Sequence, residues 1–222
     1  MLDRPLFGVV TATADAAARR LVTAAEVRAI IGSPAGDDSK LETFIDAFSA
    51  KAAEHCDLAA DSIGTFPTFG RETVRATWAA RSDCGRRFDT LILPWRTPIT
   101  AISSITVDGE SLTTDDYRLM PGGLLERLSE ERRVTWSNGK IVVTYVAGWS
   151  LPTGAPAELK LAAIDQVKTW YFGRSRDGAV LSENVPDTYQ ATYGAAGGMG
   201  MSSDGLLKTV ESILDRYRGG RT

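Results

Sequence analysis

The stretch from Thr90 to Trp149 constrains this chain most, because it alternates short β-branched runs with residues that stop or turn strands. Thr90–Leu93 is an apolar run halted by Pro94, which has no N–H to give a ladder and so marks a strand end or edge. Ile99–Val107 is rich in β-branched residues and closes on Asp108-Gly109, a dipeptide suited to the positive φ of a two-residue hairpin turn. Lys140–Val146 is a third strand, and Asn138-Gly139 before it offers a second such turn to Val134–Trp136. Glu72–Trp78 upstream and Tyr117–Met120 within the stretch add strands. Leu124–Arg133 fits either a helical turn or strand edges.

Around this β region the periodicity changes to that of helices. Thr23 and Glu26 form a T-x-x-E capping box, Val22 and Val27 stand at hydrophobic-staple positions, and Gly32 and Pro34 end the segment. A second helix follows Asp37-Asp38-Ser39, acceptors placed at its start where the helix dipole favours negative charge, and runs to about Cys56, with Leu41, Phe44, Ile45, Phe48 and Ala52 on one face. Pro156 suits a first helical position, and Ala157–Phe172 follows with Ala163, Ile164, Val167, Trp170 and Tyr171 as its buried stripe. The reading is an α+β fold: a helical core with a small antiparallel sheet and hairpins, flanked by flexible arms. Residues 1–20 read as an N-terminal arm, 21–174 as the core domain and 175–222 as a mobile C-terminal arm. That last arm passes through the glycine-rich GAAGGMGMSSDG and ends in an amphipathic helix, Leu206–Tyr217. A helix of about three turns is marginal alone in water, so its stripe of Leu206, Leu207, Val210, Ile213, Leu214 and Tyr217 predicts a partner surface.

The chemistry-bearing residues are sparse. His55 is the only histidine and adjoins Cys56, but neighbours on a helix diverge by roughly 100 degrees, which forbids a local nucleophile–base pair. His55, Cys56 and Cys84 match no zinc-ligand spacing, so no metal and no cofactor is expected. Glu126, Glu130 and Glu131 alternate with Arg127, Arg132 and Arg133, the pattern of a solvated charged face rather than an acid/base pair. Trp136, Tyr145, Trp149, Trp170 and Tyr171 sit where a core claims aromatics before a base-stacking platform does. A net charge of −3 argues against a protein that grips nucleic acid by neutralising phosphates. No apolar run approaches the roughly 20 residues of a membrane span, and MLDRPLFGVV lacks the pattern of a signal peptide. Two cysteines suit a reducing cytoplasm as the site of synthesis.

The order of motifs carries more than any one of them. LVTAAEVRAII, then DDSKLETFIDAFSAKAAEH, Leu93-Pro94 to Pro98, the S-I-x-V-D-G hairpin Ser104–Gly109, Tyr117-Arg118-Leu119, the V-T-Y-x-A-G strand Val143–Gly148 and a proline-started helix ending in Trp170-Tyr171 succeed one another. Ile213–Arg218 closes the series. This succession resembles the head–tail connector (adaptor, or head-completion) proteins of long-tailed bacteriophages and gene transfer agents. The resemblance spans roughly Leu21 to Arg174; residues 1–20 and the longer Leu58–Arg87 segment depart from it. It implies a non-enzymatic virion protein at the neck, made in the bacterial host cytoplasm and assembled as a homo-oligomeric ring, a dodecamer in the family. The ring would sit under the portal, extend the channel for double-stranded DNA with only transient, non-specific contact, and offer a platform to the stopper or tail-completion protein. The stripe Leu206–Tyr217 is the expected portal-docking element. The rival classes are a small soluble enzyme with a site scattered in sequence, and a stand-alone binding module.

Overall fold

The computed structural model describes residues 2–3, 7–12, 16–58, 67–78, 89–93, 98–137, 139–173, 182–185, 189–192 and 201–218. The strands begin with β1 (Leu2–Asp3), β2 (Phe7–Ala12), β3 (Glu72–Trp78) and β4 (Thr90–Ile92). They continue with β5 (Ile99–Val107), β6 (Glu110–Ser111), β7 (Tyr117–Met120) and β8 (Leu124–Ser129). The last four are β9 (Arg132–Val134), β10 (Ile141–Ala147), β11 (Ser182–Val185) and β12 (Tyr189–Thr192). The helices are α1 (Ala24–Ile31), α2 (Asp38–His55), α3 (Ala157–Gly173) and α4 (Lys208–Leu214).

The architecture is α+β, as the periodicities require. One sheet has the order β2-β3-β10-β5-β6; the other runs β1-β4-β8-β7, with β9 on β8. Their facing sides enclose one apolar cluster around Val74, Trp78, Leu91, Ile105, Leu125, Trp136, Ile141, Val143 and Tyr145. A second cluster joins α1, α2, α3 and α4 through Leu21, Val27, Leu41, Ile45, Phe48, Leu159, Val167 and Leu214. The junction of the two is a close backbone approach. Trp149 N–H donates to Phe69 C=O at 2.9 Å, and a Cβ on Gly148, at φ 102°, would collide with the Gly70 carbonyl.

The local signals act as their chemistry demands. Thr23 caps α1, with Glu26 N–H donating to its hydroxyl at 3.1 Å and Thr23 N–H donating to the Glu26 carboxylate at 2.8 Å. Val22 and Val27 are both fully buried beside this cap, and Gly32 ends the helix at φ 70°. Asp108 (φ 52°) and Gly109 (φ 91°) turn β5 into β6. Leu124–Arg133, ambiguous by pattern, is the β8–β9 hairpin, turned by Glu130 and Glu131 with φ 51° and 63°.

Three features differ from the sequence expectation. The described residues of the N-terminal arm do not stand apart, since β2 pairs antiparallel with β3 and β1 pairs parallel with β4. Phe7–Ala12 contains Val9, Val10 and Thr11, whose branched side chains favour extension along the otherwise open edge of β3. Second, β9 does not form a hairpin with β10; it pairs with β8, while β10 lies between β3 and β5. Trp136 accounts for the change: it is buried between the sheets and its indole Nε1–H donates to Leu125 C=O at 3.3 Å. Gly139 instead permits close approach, because a Cβ there would run into the Asp108 carboxylate, which accepts Lys140 N–H at 2.7 Å. Third, Asp37 and Asp38 do not cap α2. Asp37 accepts from Lys40 at 2.7 Å and from the Tyr171 hydroxyl, and Asp38 pairs with Arg28. Asn138, Cys84 and the polar link Arg81–Arg87 lie outside the described residues.

Candidate functional site

The C-terminal segment predicted to need a partner surface finds one in its own chain. Leu206, Val210 and Leu214 are buried in the helical cluster, and Leu207, Ile213 and Tyr217 pack half-buried against it. The partner surface is α3 together with the end of α2. Gln166, fully buried on α3, receives the incoming backbone: its amide Nε2 donates to Gly205 C=O at 3.3 Å, and its Oε1 accepts Leu207 N–H at 2.8 Å. A short turn prepares this contact, with Ser202 N–H donating to Leu206 C=O at 2.7 Å. Sequence reasoning missed Gln166, because a glutamine on an otherwise apolar helix face carries no local signature of what it binds.

Polar links ring the seat. His55 Nε2 lies 3.2 Å from the Asp215 carboxylate, Arg218 pairs with Asp57 at 2.8 Å, and Arg216 pairs with Glu158 at 3.1 Å. The Tyr217 ring meets Trp149 edge-on at 5.9 Å. A cleft of about 380 Å³ opens beside these links, lined by Lys51, Glu54, His55, Asp57, Asp204, Leu206 and Arg218. Its lining mixes both signs, and the Arg218 guanidinium and His55 imidazole already face the Asp57 and Asp215 carboxylates. No group of histidine, cysteine and carboxylate side chains among the described residues could hold a metal.

The six residues expected to dock on the portal are therefore not a free stripe in this arrangement. His55 and Cys56 diverge as adjacent helical residues must: the imidazole faces Asp215, while the buried Cys56 thiol donates to Leu214 C=O at 3.3 Å. Burial pushes that thiol up to about 12, far from a nucleophile's range. Glu126 is held by Arg118 at 2.9 Å and Arg133 at 3.4 Å, and Glu130 and Glu131 sit at the tip of the β8–β9 turn. The three carboxylates form no paired site. Trp136 and Tyr145 are fully buried, and Trp149, Trp170 and Tyr171 pack on the helical cluster, so the aromatics build core.

Among the described residues two surfaces remain uncovered. Ile30, Leu161 and Phe172 are the large apolar side chains left exposed among the described residues. The outer edge of β5 is the other: β6 pairs only with Thr106 and Val107, and among the described residues Ile99–Ser104 is paired on the β10 side alone. No helix among the described residues is long and apolar enough to cross a membrane.

Neither a protein-family model nor a curated protein matches the sequence. Solved structures do. The chain superposes on one from the neck of an empty GTA particle computed with C6 symmetry, with TM-score 0.52 and 17% identity, covering 96% of this chain and 97% of that one. A chain from the neck of a native GTA particle computed with C12 symmetry gives TM-score 0.51 and 17% identity over the same shares. A third, from the virion of a native gene transfer agent particle, gives TM-score 0.50 at 18% identity, covering 98% and 97%. The chain has the fold of a component of gene transfer agent particle necks.

Proposed function

We propose that this chain is a structural neck protein of a phage-like particle: a head–tail connector that forms a ring under the portal. In that place it continues the DNA channel and presents a platform to the stopper or tail-completion protein once DNA is packaged. The observation that carries the reading is the likeness to neck chains over 96% of this chain and 97% of theirs, with no large unmatched domain on either side. Those necks were computed with C6 and C12 symmetry, and a ring of identical subunits is the closed form of a head-to-tail interface. The order of sequence motifs points the same way independently of the fold.

Contact of Leu206–Tyr217 with the portal belongs to the same proposal. With Leu206, Val210 and Leu214 committed to their own core, such contact falls to the outward residues or follows release of the helix. Electron microscopy of the protein mixed with its portal tests the reading; an added ring at the portal's tail-facing end is expected. A chain that stays monomeric and never associates with the portal overturns it. Hydrogen exchange on the same samples separates the two modes of contact, because release exposes the amides of α4 before the portal covers them.

A further inference from the structure

We propose that neighbouring copies are joined by strand addition, the β11–β12 hairpin of one copy pairing with the open β5 edge of the next. This rests on the ring reading above and names the surfaces that make it.

The first observation is a donor without a sheet. β11 and β12 pair over four residues each, from Ser182↔Thr192 to Val185↔Tyr189, and pair with no third strand among the described residues. A lone two-stranded hairpin is at best marginally stable in water, so these strands gain most from a further partner. The second observation is an edge without a strand. Ile99–Ser104 lies beyond the reach of β6, its residues Thr100, Ala101, Ser103 and Ser104 are exposed, and it contains no lysine, proline or other charge to repel pairing. An unprotected edge of this kind is what β-augmentation uses.

The two fit in length and charge. Each hairpin strand has four residues, while β5 shifts register twice against β10 and so presents short straight runs rather than one long one. Glu183 is the only charged residue in either partner, so neither repels the other. Among the described residues the two elements are not paired with each other, and the proposal gives that pairing to another copy. One donor and one acceptor per copy is also what a heterologous interface needs to close a ring.

Cysteine pairs read the register directly, because residues opposed across two strands bring their Cβ atoms within disulfide range. In a Cys84→Ser background, Ala101→Cys is combined in turn with Glu183→Cys, Asn184→Cys, Gln190→Cys and Ala191→Cys, and rings assembled on the portal are oxidised. At least one pair should give a ladder of covalent multimers on a non-reducing gel, absent from every single-cysteine variant. Replacing residues 182–192 with a Gly-Ser linker should abolish the ring while far-UV circular dichroism and thermal unfolding of the protomer stay as in wild type. Rings that form yet cross-link with none of the cysteine pairs, cross-linking confined to single chains, or rings that survive the linker replacement would each overturn the proposal and leave the connector reading standing. A wild-type chain that forms no ring on its portal removes both.

Discussion

Glu26 shows how one residue serves two levels of the structure. Its Oε2 accepts from the Thr23 N–H and hydroxyl, closing the cap of α1, while its Oε1 accepts from Lys160 Nζ of α3 at 2.7 Å. Burial pushes this carboxyl up, but the Lys160 and Thr23 hydrogen bonds outweigh it and hold it below its ordinary value of 4.5. A lowered carboxyl stabilises the fold above its unfolded value, and the benefit is lost as pH falls through the lower folded value. Glu26→Gln should therefore cost about 1 kcal/mol or less at neutral pH, given partial exposure and screening. The difference in urea midpoint between wild type and variant should shrink towards zero as pH is lowered from about 7 to 3; a gap that stays constant excludes the ionised clasp. The cap was legible in the sequence, because Thr23 and Glu26 are three residues apart. The clasp was not, because Lys160 lies 134 residues away and nothing local announces it.

At the scale of elements, α4 shows why a stripe predicts burial without naming its partner. Its apolar positions were readable, and so was its need for a surface. The surface is set by Gln166, which satisfies two backbone groups of the incoming chain inside an apolar wall. Gln166→Leu leaves Gly205 C=O and Leu207 N–H without that partner, at about 1–3 kcal/mol for each group left buried. Cys56 reports the consequence, because its thiol lies under Leu214 and is pushed up to about 12 while the helix is seated. Iodoacetamide at about pH 8 should modify Cys56 slowly in the wild type and at least tenfold faster in Gln166→Leu, with peptide mapping to distinguish it from Cys84. Unchanged alkylation would mean that α4 is held by its apolar contacts alone. The same distance from local pattern explains the strands. Ile99–Val107, Glu72–Trp78 and Tyr117–Met120 were legible as extended runs, yet β8 and β9 had no period that excluded a helical turn.

For the whole molecule, charge bears on how the proposed channel component would treat DNA. With a net charge of −3 and a pI near 5.3, the chain should bind duplex DNA weakly, without sequence preference and with affinity that falls as salt rises. Fluorescence anisotropy at low and physiological salt checks this, and tight sequence-specific binding at physiological salt would contradict a channel role. The sequence by itself determined the helices, the strands β3, β4, β5, β7 and β10, the Asp108-Gly109 turn and the apolar faces, because caps, periodicity and turn dipeptides act within a few residues of each other. It also determined that no local nucleophile–base pair exists at His55-Cys56, since helical geometry alone separates them. Tertiary structure decided what depends on distant partners. It added Leu2–Asp3 and Phe7–Ala12 to the sheets, and it gave β9 to β8 rather than β10 by burying Trp136. It seated α4 on its own chain and, among the described residues, left the Ile99–Ser104 edge and the β11–β12 hairpin without a further strand. Those outcomes turn on which of several competent surfaces meet first and bury most, a competition among contacts remote in sequence that no local pattern records.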